Sequence, residues 1–227
     1  MMPRPVRGAS LLLAALLAAS ACQARPLAER MVTAPVAARQ SQESGLQTAI
    51  FAGGCFWGVE GVFSHVRGVT SAVSGYHGGR GLTAEYERVA RGDTGHAESV
   101  RVTYDPAQVR YDQLLQVFFS VIADPTQLNR QGPDDGTQYR SALVPTSDEQ
   151  RAVATAYLAQ LSDARVWPGR IVTRIEPMRR FYPAEGYHQD YMLHHPDQAY
   201  IQTWDQPKLA EFASRFPGLY QPGFTPG

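Results

Sequence analysis

Cys55 is the residue in this chain best placed to do chemistry. It follows Gly53-Gly54 and precedes Phe56-Trp57, at the junction between a strand pattern and a helix pattern. A cysteine in the first turn of a helix faces free backbone N–H groups and the positive end of the helix dipole. Both favour the thiolate, so a lowered pKa is expected. A thiolate is a nucleophile and an electron donor. Glu98, in Gly95-His96-Ala97-Glu98, lies on a strand whose other inward residues are Val100 and Val102. A carboxyl among apolar side chains has its pKa raised and can serve as a general acid near neutrality. Tyr76, Tyr86 and Tyr139 flank turns, where a phenol can donate to a developing oxyanion. Asp134 and Asp135 sit beside Gly136, a pattern that turn chemistry alone would explain. On residue types alone, a Cys–His hydrolase and a buried structural cysteine in a binding module stay open. No histidine pair has the HExxH spacing, and His188 with His194-His195 is a weak metal pattern, so no metal site is expected.

The elements that position these residues follow from periodicity. Residues 46–52 read as a strand, and 55–66 as a helix with Phe56, Val59, Val62, Phe63 and Val66 on one face. Residues 69–76 form a second strand, and 97–104 a third, with Val100, Val102 and Tyr104 alternating. Residues 111–122 carry Leu114, Leu115, Val117, Phe118, Val121 and Ile122 at helical spacing. A polar loop is expected over 124–136 and a short strand over 139–144. Thr146 with Glu149 predicts a capping box that opens a helix to about 161. Residues 171–176 read as another strand. Interleaved helices and strands with hairpin-like approaches predict an α+β fold, a mixed β-sheet with helices on it.

The chain has 227 residues with 21 basic and 21 acidic side chains. This balance argues against a nucleic-acid partner, which selects for basic excess. Lys208 is the only lysine, so Schiff-base chemistry has a single candidate. Residues 1–22 read as an export signal: Arg4 and Arg7, an apolar run over 11–19, then small residues before Cys22. The run is far shorter than the ~20 residues of a spanning helix. Cys22 after Ala19-Ser20-Ala21 resembles a lipobox, in which that cysteine is acylated. The alternative is ordinary cleavage after Ala21. Either outcome places the protein in the periplasm or lipid-anchored to the cell envelope. Residues 23–44 show no period and read as a flexible tether, leaving one domain over 45–227 with a net charge of −3.

The run Gly53-Gly54-Cys55-Phe56-Trp57-Gly58-Val59-Glu60 closely resembles the GCFWG signature of A-type peptide methionine sulfoxide reductases. Further blocks agree in order: Ser74-Gly75-Tyr76-His77-Gly78-Gly79, Tyr86-Glu87-Arg88-Val89, and Gly92-Asp93-Thr94-Gly95-His96-Ala97-Glu98. Then come Tyr104-Asp105-Pro106, Gly136-Thr137-Gln138-Tyr139-Arg140-Ser141, Phe181-Tyr182-Pro183-Ala184-Glu185 and Tyr187-His188-Gln189-Asp190-Tyr191. The resemblance implies a ferredoxin-like two-layer sandwich that reduces the S epimer of methionine sulfoxide, free or in proteins and peptides. It implies Cys55 as nucleophile, Glu98 as acid, Tyr86 and Tyr139 as donors to the sulfoxide oxygen, and Asp134 on the polar side. Phe56 and Trp57 would cradle the S-methyl group. No cofactor is implied, and the enzyme would act as a monomer. Many members of the family carry resolving cysteines near the C-terminus, whereas here none follows Cys55. The resemblance therefore implies a Cys55 sulfenic acid reduced by an external thiol, thioredoxin-like or another dithiol. Ala123 stands where members often have His, and Pro133 where some have Asn.

Overall fold

The computed structural model describes residues 31–227. The export signal, Cys22 and residues 23–30 of the expected tether lie outside the described residues.

The chain runs β1 (Gln47–Gly53), α1 (Phe56–Phe63), β2 (Val69–His77), α2 (Tyr86–Val89), β3 (Ala97–Tyr104) and α3 (Tyr111–Val117). It continues with β4 (Arg130–Gln131), β5 (Asp134–Asp135), β6 (Ser141–Val144), α4 (Asp148–Ala164), β7 (Arg174–Ile175), β8 (Phe181–Pro183), α5 (Tyr191–His194) and α6 (Gln206–Arg215). Six strands form one mixed sheet in the order β7-β6-β1-β3-β2-β8. All neighbours are antiparallel except β6 and β7. This is the expected α+β class.

β1 and β3 lie inside the sheet, and alternation sorts their side chains between its two faces. Ala49, Phe51, Val100, Val102 and Tyr104 join the main core together with Phe56, Val59, Val62 and Phe63 of α1. Ile50 and Val144 form a small cluster with Phe181 on the other face. Glu98 shares parity with Val100 and Val102 and so faces α1. Opposite it on β2 stands Tyr76.

Several local expectations are corrected. The helix over 111–122 stays α-helical only to Val117; Phe118–Ile122 form a π turn whose five residues are all buried. The Phe118 ring lies 5.5 Å from that of Phe51, and a Cβ on Gly53 would come within 2.7 Å of it. A widened turn at such a crowded contact is the usual setting of a π-bulge. The N-cap is Ser147, one residue later than expected, and no full capping box forms: Ser147 Oγ accepts the Gln150 N–H at 3.1 Å, while Gln150 Oε1 accepts from Thr146 N, before the cap, at 2.9 Å. Tyr139 belongs to a 3₁₀ turn, not to β6. Only Arg174–Ile175 of the strand expected over 171–176 enters the ladder.

The described part of the tether, residues 31–44, is packed against the domain. Ala34, Ala37 and Ser41 are buried. The strap is held mainly by hydrogen bonds between its backbone and distant side chains. Ala34 N donates to Ser120 Oγ at 3.0 Å, Ser41 N to Asp112 Oδ1 at 2.9 Å, and Tyr157 Oη to Pro35 O at 2.6 Å. The Glu43 carboxylate accepts from Tyr104 Oη at 2.6 Å and from Gln150 Nε2 at 3.0 Å. Such anchoring leaves no period in the sequence. A chain that begins at residue 45 should therefore melt lower than one that begins at 31. Three or four net hydrogen bonds at about 1 kcal/mol each correspond to a fall of roughly 6–15 °C. Equal melting temperatures by calorimetry would show that the strap adheres without stabilising.

Candidate active site

Gly54 makes the turn out of β1 with φ +93, a left-handed conformation, and a Cβ there would come within 2.6 Å of Gln131 Cβ. That turn sets Cys55 at the N-cap of α1 with φ −53 and ψ 124. Cys55 is partly exposed and is the free cysteine of the described residues. The next N–H of the helix, on Phe56, donates to Glu98 Oε2 at 3.0 Å. One side of α1's first turn thus meets the Glu98 carboxyl, and the thiol stands beside it.

The charge state of the thiol is opposite to the sequence expectation. Burial pushes Cys55 well above the ordinary thiol value, and the carboxyls of Glu98, Asp205 and Asp134 push it further. The Trp57 backbone N–H acts the other way but does not prevail. The helix end favours a thiolate; the apolar surroundings, with the carboxylates of Asp205 and Asp134, outweigh it. Glu98 is only 2% exposed, and burial raises it to about 8, with the Asp134 carboxylate adding to the rise and the Phe56 N–H opposing it. At neutral pH Glu98 holds its proton.

Tyr86 and Tyr139 are half-buried and enter from α2 and from the 3₁₀ turn before β6. Burial raises both phenols, Tyr86 to about 12, with Glu98 and Cys55 contributing to each. Both therefore keep their hydroxyl protons for donation. Asp134 reaches the site through a hairpin inside the expected polar loop: Gln131 pairs with Asp134, and Gly132-Pro133 makes the turn. Pro133 is thus a turn residue, and Ala123 is buried in the core.

Phe56 is fully buried, whereas Trp57 is half-buried. The Trp57 indole stacks on Tyr191 with centroids 3.8 Å apart and planes at 7°, and Tyr200 meets its edge at 5.9 Å. Trp57 Nε1 donates to His188 Nδ1 at 3.1 Å.

Tyr76 stands opposite Glu98 and 5.9 Å from the Phe56 ring, but it is buried and its hydroxyl is committed to Glu185 Oε2, to which it donates at 2.8 Å. His194 and His195 are exposed on and just after α5, while His188 is buried in the aromatic wall. Because His188 Nδ1 already accepts from Trp57, it is not free to serve Cys55 as a base. The carboxyls that act on Cys55 suit proton delivery better than a Cys–His hydrolase.

The C-terminal segment adds residues that sequence reasoning missed. Tyr200 Oη donates a short hydrogen bond to Asp134 Oδ2, and Tyr200 is raised by burial first and then by Cys55 and Asp205. Asp205 is fully buried, 3.8 Å from the Nζ of buried Lys208. A Cβ on Gly58 would collide with Asp205 Oδ1, so glycine at 58 lets this carboxylate lie against α1. The block Tyr187 to Tyr191 is a visible signal for His188 and Tyr191. Nothing local marks Tyr200 or Asp205.

The arrangement is a thiol, a protonated carboxyl and phenol donors beside an aromatic wall. It suits attack on a polar, oxygen-bearing centre that carries a small apolar group. Comparison with known proteins agrees. The family model described as peptide methionine sulfoxide reductase matches residues 47–218. The peptide methionine sulfoxide reductase MsrA 2 of Mesorhizobium japonicum is 57% identical over 176 residues, covering 78% of this chain and 90% of the relative. The MsrA 2 of a Synechocystis species is 50% identical over 172 residues, covering 76% and 80%. Among solved structures, methionine sulfoxide reductase A of Corynebacterium diphtheriae superposes with a TM-score of 0.57 at 34% identity, covering 75% of this chain and 85% of that one.

Proposed function

The chain belongs to the peptide methionine sulfoxide reductase family and reduces peptide methionine S-sulfoxide; from this premise we propose how its own residues divide the reaction. Cys55 attacks the sulfoxide sulfur. Glu98 gives its proton to the sulfoxide oxygen, which is a poor leaving group until it is protonated. Tyr86 and Tyr139 donate hydrogen bonds to that oxygen and hold its developing charge. Phe56 and Trp57 receive the S-methyl group on an apolar surface. Asp134, oriented by Tyr200, forms the polar side that faces the rest of the substrate.

Thiol and sulfoxide enter; thioether and sulfenic acid leave. The cysteine sulfur loses two electrons, the methionine sulfur gains them, and the oxygen moves to Cys55. The observation that carries this reading is the Glu98 carboxyl, raised to about 8 by burial and bonded to the helix turn that presents Cys55.

No cysteine follows Cys55 in the sequence. We propose that an external dithiol of the thioredoxin type resolves the sulfenic acid. One thiol attacks Cys55 sulfur and expels water. The second then displaces Cys55 thiolate and leaves the reductant as a disulfide. The N-terminal pattern supports export, with Cys22 either acylated or left unmodified at the start of the tether after cleavage behind Ala21.

The test is one turnover without reductant. Reduced protein is mixed separately with S- and R-sulfoxide peptides; methionine is counted per chain, and Cys55 is trapped with dimedone. One methionine per chain from the S epimer alone, with trapped sulfenic acid, is expected. A yield of two without added thiol would remove the proposed need for an external reductant.

A further inference from the structure

The methyl-binding wall is held by a residue that does not face the reacting atoms. We propose that His188 is the positioning residue of Trp57: accepting the indole N–H at Nδ1, it fixes the plane against which the substrate methyl packs, and so sets how tightly sulfoxide is held. This role rests on Trp57 being the methyl-binding surface.

An indole has one hydrogen-bond donor, and Trp57 spends it on His188 at 3.1 Å. Tyr191 covers one indole face in a parallel stack, and Tyr200 closes an edge. Rotation of the indole would break the stack and the hydrogen bond together. His188 has little freedom itself: it is 2% exposed, with ring centroids of Phe56 at 5.0 Å, Tyr86 at 4.4 Å and Tyr187 at 4.2 Å. The same ring therefore touches Tyr86, one of the proposed oxygen donors, and joins the two sides of the site.

Nδ1 can accept only when it carries no proton, so His188 must be neutral with its proton on Nε2. A proton added at Nδ1 would face the indole N–H, and the bond would become a repulsion. The groups around the ring are Phe56 and Trp57 from α1, Tyr86 from α2, and Tyr187 and Glu185 from its own segment. Of these only Glu185 carries charge, and its carboxylate is engaged by Tyr76 Oη at 2.8 Å and Tyr86 N at 2.9 Å. Burial lowers His188 below the usual imidazole value and Glu185 opposes it, so the ring is neutral at pH 7. Acidification should therefore loosen Trp57.

The experiment is single turnover at varied S-sulfoxide peptide, which separates substrate affinity from the rate at saturation. His188→Phe keeps an aromatic ring but has no acceptor. It should weaken substrate binding about 5-fold, the scale of one net hydrogen bond, with the saturated rate within about twofold. His188→Gln supplies a carbonyl acceptor and should recover most of that affinity. Wild-type affinity should also weaken as the pH falls below the usual imidazole value, and the Gln variant should lack this acid limb. Unchanged affinity in His188→Phe, or an acid limb that persists in His188→Gln, would overturn the proposal. Should His188→Phe fail to fold, the wild-type Trp57 indole N–H resonance, assigned by its loss in Trp57→Phe, decides. It must move with the midpoint of the affinity change, and a resonance that stays fixed overturns the proposal. Failure of the underlying assignment would look different, because Trp57→Ala would then bind the S-sulfoxide peptide as tightly as wild type.

Discussion

Cys55→Ser should reduce sulfoxide turnover to background, a loss on the order of the 10⁶-fold seen when a hydrolase loses its nucleophile. The loss has two causes. A serine hydroxyl is far less acidic and less nucleophilic than a thiol. It also cannot supply the two electrons that turn sulfoxide into thioether, because oxygen has no counterpart of the sulfenic acid state. Protonation by Glu98 and the phenol donors would remain and could not compensate. The fold should be kept. Residue 55 is partly exposed at the N-cap of α1, and serine is a preferred N-cap residue. The melting temperature should stay within about 2 °C of wild type or rise slightly. The measurement is methionine released per chain from the S-sulfoxide peptide, beside a thermal melt. A folded variant within 100-fold of wild type would sink Cys55 as the reducing group.

The raised thiol bears on how this cysteine is activated. Burial, with the carboxylates of Asp205 before α6 and Asp134 on β5, keeps the resting sulfur protonated. Glu98, protonated at neutral pH, adds a further negative charge only above about pH 8. A bound sulfoxide then brings its partly positive sulfur against Cys55. On the proposed mechanism thiolate character would develop only where substrate is present, which would spare the resting cysteine stray oxidation.

What is legible in the sequence follows local rules. β1, β2 and β3 can be placed nearly to the residue because alternation and glycine punctuation are properties of the strand itself. Cys55 and Glu98 stand out because a glycine turn before a helix and a carboxyl on an apolar strand face are also local. The protonated state of Cys55 escapes such a reading for a physical reason. Helix-terminus electrostatics are visible within a few residues, whereas the opposing carboxylates come from positions 134 and 205. Tyr200 and Asp205 escape it in the same way, since only the packing of the C-terminal segment onto α1 brings them to the site. The strap over 31–44 has the sequence of a free tether because its order is imposed by Ser120, Asp112 and Tyr157. The hairpin that delivers Asp134 is two residues per strand, too short for any period to register.

Glu98→Gln should lower the single-turnover rate by about 10²–10⁴, the range ascribed to a positioned general acid, and should stabilise the protein above neutrality. Glutamine can still accept the Phe56 N–H, so the local geometry survives while the transferable proton does not. Both effects have one origin, the rise of the Glu98 pKa from 4.5 to about 8 on burial. In the unfolded chain the carboxyl ionises near 4.5; in the folded protein it stays protonated until about pH 8. Between these values the native state binds the extra proton, so stability falls as pH rises. A pKa moved by one pH unit corresponds to about 1.4 kcal/mol. Allowing for relaxation of the buried charge, wild type should lose about 2–4 kcal/mol relative to the glutamine variant between roughly pH 5 and pH 8. The gap in melting temperature should widen by several degrees over that window. The wild-type rate should change with a midpoint near pH 8, an inflection the variant cannot have. Activity and stability would then move in opposite directions at one residue, as expected where a costly buried group is kept for its chemistry. A gap in melting temperature that does not vary with pH would place Glu98 ionised in the fold. Paired with an undiminished single-turnover rate, it would remove Glu98 as the acid.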